Sequence, residues 1–596
     1  MTSHVIATAG HVDHGKSTLV RALTGIEPDR WAEERRRGLT IDLGFAWTEL
    51  PSGAEVSFVD VPGHERFLGN MLAGLGPAPI VCFVVAADEG WQAQSSDHRD
   101  AIAALGIDQG LIVVTRADLA PGRVDATLAQ ARSELAGTGL AAAPAVAVSA
   151  RTGQGLDELR TVIGSVVAAA RRPDPEERVR LWVDRSFTIS GAGTVVTGTL
   201  SGGVLRREDR LALCGAERGG EVVVRGLQSR GGPLEQLGPV SRAAVNLRGV
   251  STEEIGRGDA LLTPDAWTHA DVVDVRRREG EALAGAPAEL MVHVGTAVVP
   301  ARVRPFGPDH ARLTLARPLP LAVGDRLVLR GGEHAVRNGV QVLDVDPPVL
   351  DRRGDGARRR AVLESLPEGG DLALEVRRRG AVRVHVLARH GVALPPQLPE
   401  QVRRHGEWLV DTGTMERWTE GLVELVRENR AAHPLSAGVP RKAATDALSL
   451  PDTGLLGAVV AAAGLDTADG RVVDASGPRG LGAAEHGVAA LEESLRGTPF
   501  RAPEADDLAA LRLTPRELAA AAAQGRLLRL PGEVILLPTA PARAMRELAS
   551  LPQPFTTSQA RQALGTTRRV AVPLLEHLDA RGWTRRVDAG HREVVR

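Results

Sequence analysis

The sequence predicts a multidomain fold: an α/β domain first, two β-barrel domains next, and tandem, mainly α-helical winged-helix domains last. Three observations support this fold class. Strands and helices alternate through residues 1–172, short glycine-punctuated β-rich runs fill 179–348, and helix-rich segments closed by short strands follow from 355. At 596 residues the chain is also too long for one hydrophobic core.

The composition excludes several classes of protein. Hydrophobic residues make up 43% and charged residues 24%, as in ordinary globular proteins, and no apolar run reaches the roughly 18 residues of a membrane helix. The N-terminus lacks a signal-peptide pattern, and Cys82 and Cys214 are too few for a disulfide framework or a cysteine-rich zinc site. With a net charge of -2, the chain as a whole lacks the excess positive charge that is typical of proteins that bind nucleic acid. We therefore expect a cytoplasmic protein with no membrane partner.

Residues 1–172 form the first predicted domain, in which strands alternate with helices as in a doubly wound sheet. Strands are expected at His4–Ala9, Glu55–Val61, Ile80–Ala87, Gly110–Thr115 and Ala145–Val148. Helices are expected at Lys16–Leu23, from about Gln94, near Leu128–Ala136 and from Leu156. Two prolines and several charges in 171–176 then indicate a linker.

Two barrels and four winged helices are predicted for the rest of the chain. Glycine-punctuated β-rich runs indicate barrels at 179–266 and 269–348, with a seam within 259–268. Beyond 348, helix-rich segments end in short apolar strands about every 60 residues, at 407–411, 470–474, 532–537 and 591–595. Such units are typical of winged helices, which we place at 355–413, 414–476, 480–539 and 540–596.

A phosphate-binding loop connects the first strand to the first helix. Its sequence satisfies G-x-x-x-x-G-K-[ST] over 10–17, and Lys16 is one of only two lysines in this arginine-rich chain. Glycine lets backbone N–H groups approach phosphates, Lys16 reaches the β- and γ-phosphates, and the Ser17 hydroxyl can ligate Mg²⁺. The loop residues predicted to contact nucleotide are Asp13, His14, Gly15, Lys16, Ser17 and Thr18.

The segment 60–64 follows a predicted strand at the spacing of a Mg²⁺-associated carboxylate, Asp60. Gly63 can present its N–H to a γ-phosphate, and His64 then lies where an attacking water must be oriented. Thr40 is the candidate switch residue, because a threonine can bring its hydroxyl to the metal as its loop closes over triphosphate. Ser17, Thr40 and Asp60 are therefore the predicted Mg²⁺ ligands.

The sequence Thr115-Arg116-Ala117-Asp118 ends a predicted strand and favours guanine as the base. The Asp118 carboxylate can accept hydrogen bonds from both N1–H and N2–H₂ of guanine, whereas adenine presents an acceptor at N1. Ser149 and Ala150 end the next strand and would contact the base oxygen through backbone N–H groups. We therefore predict an α/β P-loop GTPase domain that binds GTP or GDP, with a base site formed by Thr115, Arg116, Asp118, Ser149 and Ala150.

Three motifs of this domain resemble those of translational GTPases of the elongation factor Tu class, and they lie at 10–19, 38–46 and 60–67. Within the second motif, Leu43-Gly44-Phe45-Ala46 resembles the selenocysteine-specific elongation factors (SelB) of bacterial type and differs from elongation factor Tu itself. Residues 183–199 resemble the second domain of that family, and residues 293–297 resemble its third. The resemblance implies four C-terminal winged helices, which separate bacterial members from elongation factor Tu.

The resemblance also implies a function and site residues. The implied function is GTP-dependent delivery of selenocysteinyl-tRNA to the ribosome at UGA codons, recoded by an mRNA hairpin that the C-terminal modules hold. His64 would be the histidine of ribosome-stimulated GTP hydrolysis, with Val12 and Leu39 as its hydrophobic gate, and we expect a monomer. One departure is the guanine motif, which has Thr115 where the family's Asn-Lys-x-Asp has an asparagine that braces the loop. Another departure is Arg337-Asn338-Gly339-Val340, at a place where relatives tend to have consecutive glycines.

The second domain is expected to choose the amino acid by its charge. A selenol is more acidic than a thiol, whose pKa is about 8.5, and is ionised at neutral pH. Arg185 and Arg242 resemble the positions that the family uses for this pocket, and Asp184 would hold one of them in place. The alternative interpretation of these residues is a structural salt bridge of the barrel.

Positive charge collects in the last predicted module. Residues 541–596 carry ten arginines against five acids, a net charge of +5, whereas 477–540 carry a net charge of -1. Arg568 and Arg569 would open a helix, where backbone N–H groups also favour phosphate, and Arg585 and Arg586 fall on the wing. With no tyrosine in the chain, we expect RNA recognition through shape and backbone.

Two other functions remain open at this stage. The first is another tRNA-carrying translational GTPase, such as an initiation factor, with unrelated C-terminal modules. The second is a GTP-switched winged-helix regulator that binds DNA or RNA, although such a switch has no use for two barrels. A GTPase subunit of a sulfate-activating complex would have no use for four winged helices.

Overall fold

The computed structural model describes residues 3–28, 40–171, 173–215, 219–331, 335–433, 436, 438–474 and 481–595. The chain forms two compact units, one of Met1–Val402 with Glu407–Leu409 and the other of Arg403–Gly406 with Val410–Arg596. The first unit contains the α/β domain, both barrels and most of the first helical module. The second unit contains the remaining helical modules.

The α/β domain is built on a six-stranded sheet of order β2-β3-β1-β4-β5-β6. Its strands are β1 Ser3–Ala9, β2 Gly44–Glu49, β3 Glu55–Asp60, β4 Ile80–Ala86, β5 Gly110–Thr115 and β6 Ala145–Ala147. β1 pairs in parallel with β3 and β4, and β5 pairs in parallel with β4 and β6, whereas β2 pairs antiparallel with β3. The sequence prediction omits β2, which lies at the sheet edge.

Helices cover both faces of this sheet. They are α1 Lys16–Thr24, α2 Leu68–Leu75, α3 Ala93–Leu105, α4 Val124–Leu135 and α5 Leu156–Ala169. Because side chains alternate along a strand, Ile6 packs in one core with residues of α1 and α5. Its neighbours Val5 and Ala7 pack in the opposite core with residues of α2, α3 and α4. The predicted doubly wound architecture is confirmed, and α2 is an addition to it.

Two barrels follow, as predicted. The first closes as β10-β15-β7-β8-β14-β11 through pairing of β10 with β11, and the second as β16-β19-β18-β17-β20-β21. The strands of the first barrel and its attached ribbons are β7 Arg180–Ile189, β8 Gly193–Leu200, β9 Leu205–Arg206, β10 Arg210–Cys214, β11 Gly219–Ser229, β12 Gly232–Leu234, β13 Gln236–Leu237, β14 Ser241–Arg248 and β15 Ala260–Leu262. Those of the second are β16 Thr268–Gly280, β17 Glu289–Val294, β18 Ala297–Pro305, β19 His310–Leu321, β20 Arg326–Gly331 and β21 Ala335–Asp344. The predicted boundary region at 259–268 contains β15, which belongs to the first barrel. The segment that connects the two barrels is therefore 263–267.

The C-terminal region is helical with short strands, as predicted. Its helices are α6 Asp355–Ser365, α7 Leu372–Arg379, α8 Val384–His390, α9 Thr412–Ala432, α10 Arg441–Ala447, α11 Leu456–Ala462, α12 Glu485–Gly497, α13 Ala505–Ala510, α14 Pro515–Ala523, α15 Ala540–Ala549, α16 Thr557–Ala563 and α17 Arg568–Ala580. Its strands are β22 Ala381–Arg383, β23 Val402–His405, β24 Trp408–Asp411, β25 Val439–Pro440, β26 Asp466–Ala468, β27 Arg471–Val473, β28 Leu528–Leu530, β29 Val534–Leu536, β30 Phe555–Thr556, β31 Thr584–Arg586 and β32 His591–Val594. One hydrophobic cluster contains both Val534 and Leu574, so a shared core crosses the predicted boundary at 540. Among the described helices, no segment is long and apolar enough to cross a membrane.

Candidate functional site

A cleft of about 630 Å³ lies where β1, β3, β5 and β6 end. The loop after β1 begins at Gly10, whose φ of 127° brings it so close to β4 that an added Cβ would lie 2.1 Å from the carbonyl oxygen of Val84. Lys16 donates hydrogen bonds to the carbonyl oxygens of Gly10 at 2.9 Å and His11 at 2.8 Å. These bonds hold a buried ammonium group at the cleft wall, where it can meet a phosphate.

Oxygen donors meet beside this ammonium group. The Ser17 hydroxyl donates to Asp60 Oδ2 at 2.6 Å and lies 3.1 Å from the hydroxyl oxygen of Thr40. The Thr8 hydroxyl donates to Asp60 Oδ1 at 2.7 Å. Burial raises the pKa of the Asp60 carboxyl, which a nearby cation would oppose. Mg²⁺ prefers oxygen ligands of this kind, so the three predicted ligands Ser17, Thr40 and Asp60 fit the ion.

Gly63 lies directly against the phosphate loop. A Cβ added there would lie 2.5 Å from the backbone nitrogen of Val12 and 2.6 Å from Lys16 Nζ, so the position requires glycine. Val12 and Gly63 both line the cleft, whereas His64 does not: its Nδ1 accepts a hydrogen bond from the backbone of Arg66 at 3.2 Å. The other predicted gate residue, Leu39, lies outside the described residues.

The opposite end of the cleft carries the predicted base site. Asp118 lies there with Ser149 and Ala150, and Arg151 Nε donates to its carboxylate at 3.0 Å. Hydrogen bonds from the Ser149 hydroxyl and the Arg151 guanidinium lower the pKa of Asp118. The carboxylate is therefore held ionised, as an acceptor for two guanine N–H groups must be.

Thr115 supplies a brace at the position of the missing asparagine. Its hydroxyl donates to the carbonyl oxygen of His14 at 2.7 Å, which ties the end of β5 to the phosphate loop. Arg116 donates to the Asp13 carbonyl oxygen as well and forms an ion pair of 2.6 Å with Glu89. The His14 side chain is fully buried beneath the loop, and burial lowers its pKa to about 4. His14 therefore supports the loop and contributes no side chain to the cleft lining.

The structure brings most of the residues predicted to contact nucleotide to this one cleft. The predicted residues that line the cleft are Val12, Asp13, Gly15, Lys16, Ser17, Thr18, Thr40, Gly63, Thr115, Arg116, Asp118, Ser149 and Ala150. Sequence reasoning missed two supporting side chains on α3. Gln94 Oε1 accepts from the Val12 backbone at 3.1 Å, and buried His98 Nδ1 accepts from the Gly10 backbone at 3.1 Å. Their spacing of four residues on one helix face was the available signal.

The second domain presents two arginines beside the α/β domain. Arg242 Nη2 donates to Asp184 Oδ1 at 2.7 Å, and its Nη1 donates to Asp184 Oδ2. The Thr197 hydroxyl also donates to Asp184, at 2.6 Å. Asp184 therefore holds Arg242, as predicted for one of the two arginines. Arg185 instead forms an ion pair with Asp42 of the α/β domain at 3.0 Å.

The four arginines predicted to bind RNA are exposed on the last module. Arg568 and Arg569 begin α17, and Arg585 and Arg586 lie on β31. Arg569 forms an ion pair of 2.8 Å with Glu504, and Arg585 Nε donates to Glu593 at 3.0 Å. A phosphate would have to compete with these two carboxylates at Arg569 and Arg585.

Family models match three separate parts of the chain. Residues 2–169 match the elongation factor Tu GTP binding domain. Residues 270–349 match the β-barrel domain of the selenocysteine-specific elongation factor, and residues 546–592 match the winged helix of elongation factor SelB. All three matched regions coincide with structural domains described above.

Individual relatives agree with these matches. The selenocysteine-specific elongation factor of Desulfomicrobium baculatum is 38% identical over 341 residues, 55% of this chain and 53% of that protein. The one of Escherichia coli (strain K12) is 38% identical over 358 residues, 59% of this chain and 56% of that protein. The chain thus spans about half the length of these curated relatives.

Similarity in structure extends further along the chain. The crystal structure of the bacterial selenocysteine-specific elongation factor EF-Sec aligns over 100% of both chains, with 25% identity and a TM-score of 0.77. That alignment includes the helical modules. With a matching GTP-binding domain, barrel and winged helix, this chain belongs to the family of selenocysteine-specific elongation factors.

Proposed function

We propose that this chain is a GTP-dependent elongation factor that delivers selenocysteinyl-tRNA to the ribosome at UGA codons. One observation carries the proposal: the cleft lined by Lys16, Thr40 and Asp118 lies in the same compact unit as the barrel that carries Arg185 and Arg242. The cleft suits a guanine nucleotide, and the arginines suit an anionic amino acid side chain. The simpler assignment, a GTP-dependent switch, gives no role to the arginines.

Nucleotide binding in this proposal uses backbone and side-chain groups of the cleft. Lys16 and the loop N–H groups hold the phosphates, while Asp118 and the backbone of Ser149 and Ala150 select guanine. Ser17, Thr40 and Asp60 would hold Mg²⁺. When bound, this ion neutralises negative charge on the β- and γ-phosphates.

GTP hydrolysis to GDP and phosphate requires a water held in line with the γ-phosphate. We assign this role to His64, which follows Gly63, is half-buried and does not line the cleft in this structure. Rotation of the ring toward Val12 would bring an imidazole nitrogen to the attacking water. This arrangement fits a reaction that the ribosome stimulates, because GTP is hydrolysed only after the His64 ring has rotated.

Selection of selenocysteine is assigned to Arg185 and Arg242. A selenolate carries a charge at neutral pH, and serine does not, so cationic donors discriminate between them by electrostatics. Asp184 keeps Arg242 in place through two hydrogen bonds. The alternative of a purely structural salt bridge applies less well to Arg185, whose partner belongs to a different domain.

We propose that the last module binds the mRNA hairpin. We place this module at 540–596, after three others at 355–413, 414–476 and 480–539. Its exposed arginines suit a phosphate backbone, and RNA helices are recognised mostly through shape and backbone. Binding should therefore weaken steeply with salt. Action on ribosomes implies a cytoplasmic protein, and we propose that it acts as a monomer.

The test is binding of selenocysteinyl-tRNA and seryl-tRNA on the same tRNA body, each with GTP and with GDP. We expect strong, GTP-dependent preference for the selenocysteinyl form, and loss of that preference in Arg242→Ala. Equal binding of both tRNAs would contradict the assignment and leave another tRNA-carrying GTPase. Binding of duplex DNA in preference to the hairpin would favour a DNA-binding regulator.

A further inference from the structure

The segment 40–45 of the α/β domain reaches the two arginines of the second domain. Arg185 Nη2 donates to Asp42 Oδ2 at 3.0 Å and to the carbonyl oxygen of Leu43. The Phe45 ring centroid lies 3.8 Å from the Cζ atom of Arg242 and 5.0 Å from that of Arg185. A cation near the face of an aromatic ring is attracted to it. One short segment therefore contacts both guanidinium groups.

The same segment begins at the predicted metal site. Thr40 Oγ1 lies 3.1 Å from Ser17 Oγ, which in turn donates to Asp60. Gly44 lies opposite Asp60 in the β2–β3 pair, where an added Cβ would be 3.2 Å from the Asp60 Cβ. A shift of Thr40 toward a metal ion would consequently move the backbone that carries Asp42.

Asp42 offers Arg185 the kind of group that an anionic substrate would offer. Its carboxylate is only 26% exposed and also lies 3.4 Å from Arg257. The Asp42 carboxylate and a selenolate are both anions that accept hydrogen bonds from a guanidinium group. Both would use the same donors of Arg185, because the rigid fork of a guanidinium presents its N–H groups in fixed directions.

We propose that Asp42 is a built-in competitor for the anionic amino acid side chain at Arg185. When the segment 40–45 moves with the nucleotide state, Asp42 leaves Arg185 and the pocket gains affinity for the substrate. Asp184 of the same barrel keeps Arg242 in place meanwhile through two hydrogen bonds. The position of Arg242 is therefore constant, whereas Arg185 is available to the substrate only when Asp42 has left. This inference rests on the proposed function, since it concerns the same amino acid pocket.

Two substitutions at one position test the proposal. Asp42→Asn keeps the shape of the side chain and removes its charge, and Asp42→Glu keeps the charge as the matched control. For the full-length wild type and both variants, dissociation constants are measured for selenocysteinyl-tRNA and seryl-tRNA with GDP and with a non-hydrolysable GTP analogue. Thermal midpoints establish that the variants are folded.

In Asp42→Asn, binding of selenocysteinyl-tRNA to the GDP form should tighten about tenfold, because an ion pair that competes with the substrate is lost. The ratio of GTP-form to GDP-form affinity should fall by the same factor. Seryl-tRNA binding should not change, because serine carries no charge, and Asp42→Glu should keep the wild-type ratio.

An unchanged ratio in Asp42→Asn, or weaker binding in both nucleotide states, would overturn the competitor role. These results are distinguishable from failure of the proposed function. If wild-type protein binds selenocysteinyl-tRNA and seryl-tRNA equally, the amino acid assignment itself is wrong. If wild type discriminates but the Asn variant keeps the full nucleotide dependence, only the role of Asp42 is wrong.

Discussion

The Thr115 hydroxyl donates a hydrogen bond to the buried carbonyl oxygen of His14 at 2.7 Å, across 101 positions of sequence. This bond joins the base end of the cleft to its phosphate end. The family's Asn-Lys-x-Asp motif has an asparagine at this position, and that asparagine braces the loop. A threonine hydroxyl, placed by the end of β5, reaches the loop here.

Thr115→Val should weaken binding of GTP and GDP. Valine has the same shape but leaves the His14 carbonyl oxygen without this partner, and a buried unsatisfied group costs about 1 to 3 kcal/mol. We expect a loss of roughly 5- to 140-fold in affinity, measured by fluorescence titration with a labelled nucleotide. Thr115→Ser keeps the hydroxyl and should bind nearly as wild type. Equal affinities for the Val and Ser variants would show that the bond does not support the loop.

Asp118→Asn should change the preferred base. An amide presents one donor and one acceptor, so it pairs poorly with the two N–H donors of guanine and better with xanthine, which has an oxygen at position 2. One hydrogen bond to guanine is lost, the other no longer has a charged acceptor, and two N–H donors face each other, which together should reduce GTP affinity by about 100-fold or more. Competition titrations with GTP and xanthosine triphosphate measure the change. Undiminished selectivity for GTP would place the base elsewhere in the cleft.

Acid should destabilise the α/β domain through His14. Burial lowers the pKa of His14 to about 4 from an ordinary value of 6.5, so the folded protein holds the neutral ring. As pH falls below 6.5 the unfolded chain takes up a proton that the folded chain does not, and stability falls until pH reaches about 4. The full effect is about 3 kcal/mol.

Thermal midpoints between pH 7.5 and 4 measure this loss for wild type and His14→Gln. The variant lacks the titrating ring and should lose less stability over that range, although His293 in the second barrel, with a pKa lowered by burial to about 3, contributes in both proteins. Identical pH profiles would mean that protonation of His14 is not opposed by its surroundings.

Arg359→Ala should loosen the first helical module from the second barrel. The Arg359 guanidinium is buried and forms ion pairs with Asp274 at 2.7 Å and with Asp344 at 2.5 Å. Asp274 is also bound by Arg312 through two hydrogen bonds of 2.7 and 2.9 Å. Removing one member of such a buried network costs about 3 to 5 kcal/mol, because a charge is left uncompensated.

Limited proteolysis between the barrel and the module, together with the midpoint of the first unfolding transition, measures the effect. The matched control is Arg358→Ala on the same helix, since its side chain is 66% exposed and its ion pair with Asp355 contributes little. Similar behaviour of the two variants would mean that the buried network does not hold the module.

Local patterns determined much of this structure. The strand Gly110–Thr115 has the predicted bounds, and the loop that ends at Lys16 and Ser17 connects the first strand to the first helix as predicted and lines a cleft. Both are encoded by neighbouring residues: a run of apolar side chains in the first, and glycines at fixed spacing before a helix in the second. The repeat of helices and short strands beyond 355 is likewise periodic, so the sequence alone predicts it.

Tertiary structure alone decided which side chains meet. Arg185 is adjacent in sequence to Asp184 yet pairs with Asp42, because a β-bulge between Val183 and Arg185 shifts the register of β7 and the α/β domain lies alongside. His98 supports Gly10 from 88 positions away because α3 packs beneath the loop. Sequence patterns report the local backbone and burial of each segment, whereas contacts between distant segments depend on packing, which no local pattern records.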